Sequence, residues 1–500
     1  MTLITHWIDG APVGSTGVGT QDVFNPATGE VIAQVALGST GDVDAAVASG
    51  LAAYEEWSQV SLARRTAVLF AFRQQLVEHT DGLAALVSRE HGKVISDAKG
   101  EIGRGLEVVE FACGLASLLK GEYSDQAATG LDVYSVREPI GVVAGITPFN
   151  FPTMVPLWMS PVAIATGNAF VLKPSERDPS AALFLARLWQ QAGLPDGVFN
   201  VVQGDKTVVD ALLHHDDVAA VSFVGSTPIA RYIHTTASAQ GKRVQALGGA
   251  KNHGVVLADA DLDDAVSQLT AAAFGAAGER CMALSVAVVE DSIADALVAK
   301  LADAARAVTV TAGDQPGADM GPVITAAAKE RIEGLITSAA EQGATLVVDG
   351  RGYTVPGYEG GFFVGPTVVD HVTTDQDVYR TEVFGPVIDI VRVSGLDEAI
   401  DVINANPYGN GTAIFTSSGE SAREFRRRVK VGMVGVNVPI PVPVAWHSFG
   451  GWKDSLFGES HIYGPEGVKF YTRGKVITQR WPHREKPAAA SFHFSSDATK

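Results

Sequence analysis

The sequence predicts an α/β protein built from two parallel sheets, each wrapped by helices, and two observations carry that prediction. From residue 140 onward short apolar runs alternate with helical stretches: IGVVAGIT (140–147), AFVLK (169–173), a helix opened by Asp178-Pro179, VFNVVQ (198–203) and VAAVSFVG (218–225). Such alternation marks βαβ units on a parallel sheet. After about residue 254 the pattern restarts with GVVLAD, LSVAVVED, a helix near 293–307, ATLVVDG and AIFTSS, which calls for a second α/β unit. A chain of 500 residues, 46% of them hydrophobic, is long enough for about three structural units.

The remaining elements follow in chain order. Residues 61–92 read as one helix, with Leu69, Phe72 and Leu76 on a stripe and a stop at Gly92. A second helix is expected over 101–118, with Ile102, Leu106, Val109, Cys113 and Ala116 on one face. Residues 139–172 carry no charge and are long enough to span a bilayer. Prolines 139, 148, 152, 156 and 161 break the stretch, so it reads as buried strand, loop and helix. GVNVPIPVPVAW (435–446) reads as a loop or sheet edge, and residues 485–500 as a mobile tail.

A net charge of −18 argues against nucleic-acid or anionic-membrane partners, which would call for clustered positive charge. Two cysteines provide neither a disulfide framework nor a structural zinc site, and MTLITHWIDG lacks the pattern of an export signal. A cytoplasmic protein is expected. The run His214-His215-Asp216-Asp217 is metal-capable in composition, but four neighbours in one loop point in different directions; no metal is expected.

Several residues are candidates for chemistry, each with a plainer alternative. Gly225, Ser226 and Thr227 follow a strand and precede Pro228, so backbone amides at a helix start would face an anion, although any strand-to-helix turn looks similar. Lys173 and Glu176 end another strand; an acid there can hold ribose hydroxyls, or both can belong to a solvated loop. Cys113 lies on an apolar stripe and reads as packing. Cys281, in GERCMA, sits off any stripe beside Arg280, whose charge favours the thiolate. Its alternative is one more small buried residue. Asn150, read alone, is a turn residue before Phe151-Pro152, and Glu382 a strand-end charge.

FVGST, KPSE, the Gly248-Gly249 pair, GERCMA, Glu382-Val-Phe-Gly-Pro386 and PFNFP, in these separations, resemble the aldehyde dehydrogenase superfamily from roughly residue 5 to 480. The resemblance implies a Rossmann-like NAD domain (1–121 and 141–248), a catalytic α/β domain (249–465) and a small bridging β-sheet (122–140 and 466–484) through which subunits form a homotetramer or dimer. It implies Cys281 as nucleophile and Asn150 as oxyanion donor together with the Cys281 N–H. Thr147, Phe149, Lys173, Glu176, Gly225, Ser226, Glu382 and Phe384 would surround NAD. One departure matters: ordinary members place a glutamate, the base that activates water, just before the Leu-Gly-Gly run, and here that position is Ala246.

AKNHG and TPFNFPTMVPLWM are similar to one branch, the CoA-acylating methylmalonate-semialdehyde dehydrogenases. The branch implies coenzyme A as the acyl acceptor, a thiolate needing no strong base to attack a thioester. It implies small semialdehydes bearing a carboxylate as substrates, Arg104 and Arg280 as the groups that hold it, and CO2 as a product. For Arg104 the alternative is an exposed helix pair with Glu101 or Glu107, and for Arg280 an ion pair with Glu279 or another core acid. Two other readings of the whole chain are a hydrolytic aldehyde dehydrogenase and an inactive relative serving as a binding or structural protein.

Overall fold

The structure is a computed structural model and describes residues 2–481. The expected tail at 485–500, and the last residues of the expected bridging sheet, lie outside the described residues. The first sheet has eight strands, ordered Leu456–Phe457, Arg243–Leu247, Val218–Val224, Val142–Ile146, Ala169–Lys173, Phe199–Val201, His6–Ile8 and Ala11–Val13. The strands from Arg243–Leu247 to Phe199–Val201 pair in parallel and the outer ones antiparallel. Parallel strands have both faces covered, so their sequences are nearly continuous apolar runs rather than alternating ones. Val142–Ile146 and Ala169–Lys173 are accordingly buried throughout.

The second sheet runs Thr345–Val348, Thr367–Asp370, Val387–Val393, Leu284–Glu290, Asn252–Val256, Gly411–Phe415, Met433–Val436, parallel except for its first strand. Met433–Val436 is an edge, as the prolines after Asn437 require. Tyr123–Ala128, Leu131–Pro139 and Thr472–Gln479 form a separate antiparallel sheet whose strands are largely solvent-facing, with Val476 69% and Tyr123 62% exposed.

The charge-free stretch folds as expected: strand Val142–Ile146, a loop, the wholly buried helix Met154–Ala165, then strand Ala169–Lys173. Among the described residues no helix is long and apolar enough to cross a membrane. Two helix boundaries differ from expectation. The segment 61–92 is two helices, Leu62–Glu78 and Thr80–His91, divided at His79 (φ −108°, ψ 11°). The apolar stripe hid this break, which falls in the polar run Glu78-His79-Thr80-Asp81. The next helix is Ile95–Cys113, not 101–118. Glycines 100, 103 and 105 weakened its helical signal, and Gly105 is there for packing: a Cβ would lie 2.6 Å from Leu157 Cδ1 of the adjoining helix.

The registers bring chemistry-bearing loops together. Ile146 pairs with Phe223 and with Lys173, and Val224 with Leu247, so Thr147, Gly225 and Gly248 emerge side by side at the carboxyl edge of the first sheet. That edge is where open α/β sheets bind ligands. In the second sheet, Cys281, Glu382 and Asn410 all precede the amino ends of parallel strands, Leu284–Glu290, Val387–Val393 and Gly411–Phe415.

Candidate active site

The helix Leu262–Phe274 ends in a tight turn, Gly275–Gly278, where Ala276, Ala277 and Gly278 all take left-handed conformations (φ 50°, 52° and 73°). Two non-glycine residues there are uncommon and costly, and persist only when surroundings enforce them. The enforcement is visible: a Cβ on Gly278 would lie 2.0 Å from the Gly385 carbonyl oxygen, so this turn is pressed against the Glu382–Pro386 loop. The next residues, Glu279-Arg280-Cys281, are thereby fixed. From the other side Asn252 and Asn410 donate their side-chain amides to the Cys281 carbonyl at 2.9 and 3.1 Å.

Cys281 shares a cavity of about 250 Å³ with Phe149, Asn150, Gly225, Ser226, Glu382 and Phe384. Asn150 donates to the Glu279 carbonyl at 2.9 Å, which leaves its second amide hydrogen for an oxyanion. Asn150 is itself clamped. Its carbonyl accepts from Lys93 Nζ at 2.6 Å, Lys93 pairs with Glu101 at 2.7 Å, and the other Glu101 oxygen accepts the Thr153 and Met154 amides at 2.7 and 3.0 Å. Glu101 thus serves as the missing cap of helix Met154–Ala165, whose N-cap residue Thr153 makes no side-chain capping bond.

Sequence reasoning missed this clamp, along with Asn252, Asn410 and Arg331, which also lines the cavity. A lysine and a glutamate eight residues apart give no hint of burial; only GKVISDAKGE read as a helix start would have paired them.

Burial pushes the Cys281 thiol up to about 12, reinforced by the charge of Glu382; Arg280 only partly offsets this. Arg280 acts in the expected direction, but desolvation outweighs it and favours the thiol. Burial also raises Glu382 to about 7 even though the Ala250 amide donates to it at 3.0 Å. Glu279, against the equally buried His91, is raised by burial to about 8. Ala246, where a base was looked for, is fully buried in the core of the first sheet with Phe223 and Ile146, and does not line the cavity.

At the sheet edge, Ser226 precedes helix Thr227–Ala239, makes no side-chain capping bond, and leaves the first-turn amides without that partner. Thr147 Oγ1 is buried without a hydrogen bond, Lys173 donates to Glu176 at 2.9 Å, and Phe384 (φ 49°) meets Phe149 edge-on at 5.9 Å.

The two arginines are placed differently. Arg104 pairs with Glu107 at 2.8 Å, as its plainer reading foresaw, and donates to the Pro443 carbonyl at 2.8 Å. The buried Tyr463 hydroxyl donates to that same carbonyl at 3.0 Å. Arg280 instead sends its guanidinium to Asp97, at 2.5 Å, and lies against Gly275. It borders a separate cavity of about 740 Å³ together with Asp97, Ser96 and Phe274.

A thiol that shares a cavity with an amide donor and a strand-to-helix turn is suited to forming and stabilising a covalent adduct of a carbonyl carbon. Residues 13–477 match the aldehyde dehydrogenase family, and the chain belongs to that family. Over 99% of its length it is 56% identical to all of the malonate-semialdehyde dehydrogenase of Pseudomonas aeruginosa. The crystal structure of methylmalonate-semialdehyde dehydrogenase from Oceanimonas doudoroffii is similar with a TM-score of 0.95 and 57% identity, covering 97% of this chain and 99% of that one. A Sinorhizobium meliloti 1021 protein assigned as a methylmalonate-semialdehyde dehydrogenase and solved with NAD gives a TM-score of 0.96 and 53% identity, with coverage of 97% and 99%.

Proposed function

We propose that this chain oxidises malonate or methylmalonate semialdehyde with NAD and coenzyme A, releasing CO2 and acetyl-CoA or propionyl-CoA. The observation that carries this reading is the nucleophile's setting: Cys281 and Asn150 share a cavity into which the base position, Ala246, does not reach. A site without that base is suited to release its acyl group to a thiol rather than to water.

The residues present fit NAD. The first-turn amides after Ser226 suit a pyrophosphate, Lys173 and Glu176 the ribose hydroxyls, and Glu382 and Phe384 the nicotinamide end, with the unpartnered Thr147 hydroxyl and Phe149 beside them. NAD, when bound, supplies the acceptor for the two electrons lost as the aldehyde becomes a thioester. The rest belongs to the chain. Cys281 loses its proton and attacks the aldehyde carbon; Asn150 and the Cys281 N–H receive the developing oxyanion. Arg104 and, once it has left Asp97, Arg280 hold the substrate's carboxylate. As CO2 leaves, the same oxyanion donors stabilise the enolate, and CoA then displaces the acyl group from sulfur.

As parts of the same proposal, residues 1–121 with 141–248 bind NAD, 249–465 carry the catalytic cysteine, and 122–140 with 466–484 assemble a homotetramer in the cytoplasm. The exposed apolar side chains of the small sheet, Val476 and Tyr123, support an assembly that covers them.

The test is NADH formation from each semialdehyde with and without CoA, followed by identification of the acyl product. CoA-dependent turnover to acetyl-CoA or propionyl-CoA is expected. One observation favours a second reading, hydrolysis: Glu382, raised to about 7, is a carboxylate able to accept a proton from water at the cavity. CoA-independent turnover to a free acid would establish that reading instead.

A further inference from the structure

The preceding reading, on which this inference rests, leaves Arg280 with conflicting duties. Holding the substrate's carboxylate favours binding, yet the same pairing opposes decarboxylation. The electron pair of the carbon–carboxylate bond must move away from the guanidinium into the enolate, and pairing stabilises the charged ground state. The structure contains a second carboxylate for the same guanidinium. Asp97 Oδ1 accepts from Arg280 Nη2 at 2.5 Å, while Asp97 Oδ2 is buried with no hydrogen-bond partner. The pair is single-stranded, whereas a substrate carboxylate can engage a guanidinium with both oxygens. Room for the resting position is built in: at Gly275 a Cβ would lie 2.5 Å from the Arg280 guanidinium. Asp97 sits in the first turn of helix Ile95–Cys113, where a negative charge is favoured, and Arg104 lies two turns on, about 10 Å along the same face.

We propose that Asp97 is a positioning residue that competes with the substrate's carboxylate for Arg280 and thereby frees that carboxylate for loss as CO2. Substrate arrives and takes Arg280 from Asp97. Once the acyl group is a thioester on Cys281, Asp97 reclaims the guanidinium. The released carboxylate leaves as CO2, its bonding pair enters the enolate, and a proton from water closes the α carbon. The CoA sulfur then bonds to the carbonyl carbon, the Cys281 sulfur–carbon bond breaks, and the CoA proton passes to Cys281.

The experiment compares Asp97→Asn with wild-type enzyme on malonate semialdehyde, each normalised to the same variant's rate on propanal, which has no carboxylate. KM for malonate semialdehyde, relative to propanal, is expected to fall several-fold. The product is expected to shift from acetyl-CoA toward malonyl-CoA, with CO2 release lagging NADH. Asp97→Glu, which keeps the competing charge, should restore acetyl-CoA. Gly275→Ala, which displaces the guanidinium without changing any charge, should shift products in the same direction as Asp97→Asn and stands in for it should that variant not fold. Unchanged product and KM ratios in both Asp97→Asn and Gly275→Ala, with wild type forming acetyl-CoA, overturn this proposal alone. So does an equal loss with both substrates. A wild-type enzyme that makes NADH from propanal but no CoA ester from malonate semialdehyde overturns the functional reading and this proposal with it.

Discussion

Glu101→Gln tests how the oxyanion donor is held. The change preserves shape, and the amide oxygen can still accept from the Thr153 and Met154 backbone. Its NH2 group, however, would face Lys93 Nζ, which Glu101 now accepts at 2.7 Å, donor against donor. Both side chains are fully buried, so Lys93 would be left as a buried cation supported by little beyond the Asn150 carbonyl and the Phe151 ring, 4.4 Å away. Breaking one partner of such a pair costs about 3–5 kcal/mol. Lys93 would then drag on the one carbonyl that fixes Asn150, and losing an oxyanion donor lowers turnover on the order of 10²-fold or more.

The assay is the denaturant midpoint of Glu101→Gln together with its pre-steady-state NADH burst. The double variant Lys93→Met/Glu101→Gln separates stability from catalysis. It leaves no buried cation, and its amide oxygen still accepts the Thr153 and Met154 amides, so stability should return. The burst should not return, because the Asn150 carbonyl still lacks its anchor. A double variant that recovers both, or a single variant with wild-type midpoint and burst, would refute the clamp.

Other expectations follow from the same site. Alkylation of Cys281 by iodoacetamide in the free enzyme should be slow at pH 8 and climb through pH 10, and Glu382→Gln, which removes an anion but not the burial, should speed it at pH 8. Arg104→Ala should raise KM for malonate semialdehyde relative to propanal by roughly 10- to 150-fold, the equivalent of a charge-assisted bond worth about 1.5–3 kcal/mol; an unchanged ratio removes Arg104 from substrate binding. Glu279 is raised above its unfolded value, so its contribution to stability is complete below the ordinary carboxylate range and is lost as pH rises through about 8. Urea midpoints should therefore fall between about pH 5 and 8 in wild type and level off above, and Glu279→Gln should flatten that fall.

What was legible in the sequence was whatever is local. Apolar runs such as AFVLK and VAAVSFV found their strands within a residue or two because parallel strands are buried on both faces. The family motifs brought Cys281, Asn150, Glu382 and Phe384 into one cavity's lining without any knowledge of the registers. Partners distant along the chain were not legible. Nothing in GERCMA says that Arg280 ends on Asp97, 183 residues away, nor that Asn252 and Asn410 brace the carbonyl beside it. Burial was likewise invisible, and it reverses the outcome for Cys281: the Arg280 guanidinium still lowers the thiol's pKa, but desolvation and the charge of Glu382 outweigh it.

That reversal bears on the chemistry. A resting thiol held near 12 is protected from adventitious oxidation and alkylation, since the thiolate is the reactive form. It must then be deprotonated when an aldehyde is in place. Glu382 is the carboxylate that lines its cavity among the described residues, and its own elevation to about 7 brings proton acceptance within reach of neutral pH. One side chain would then face two demands, the proton of Cys281 before NAD is seated and the ribose afterwards. Order of addition should therefore matter: trapping Cys281 with a slow aldehyde before NAD should depend on Glu382, with Glu382→Gln lowering the trapping rate at pH 7. The same variant should raise alkylation at pH 8, where thiolate is read without need of a base. Opposite signs in those two measurements are what a proton acceptor gives; the same sign in both would leave Glu382 as a neighbouring charge and nothing more.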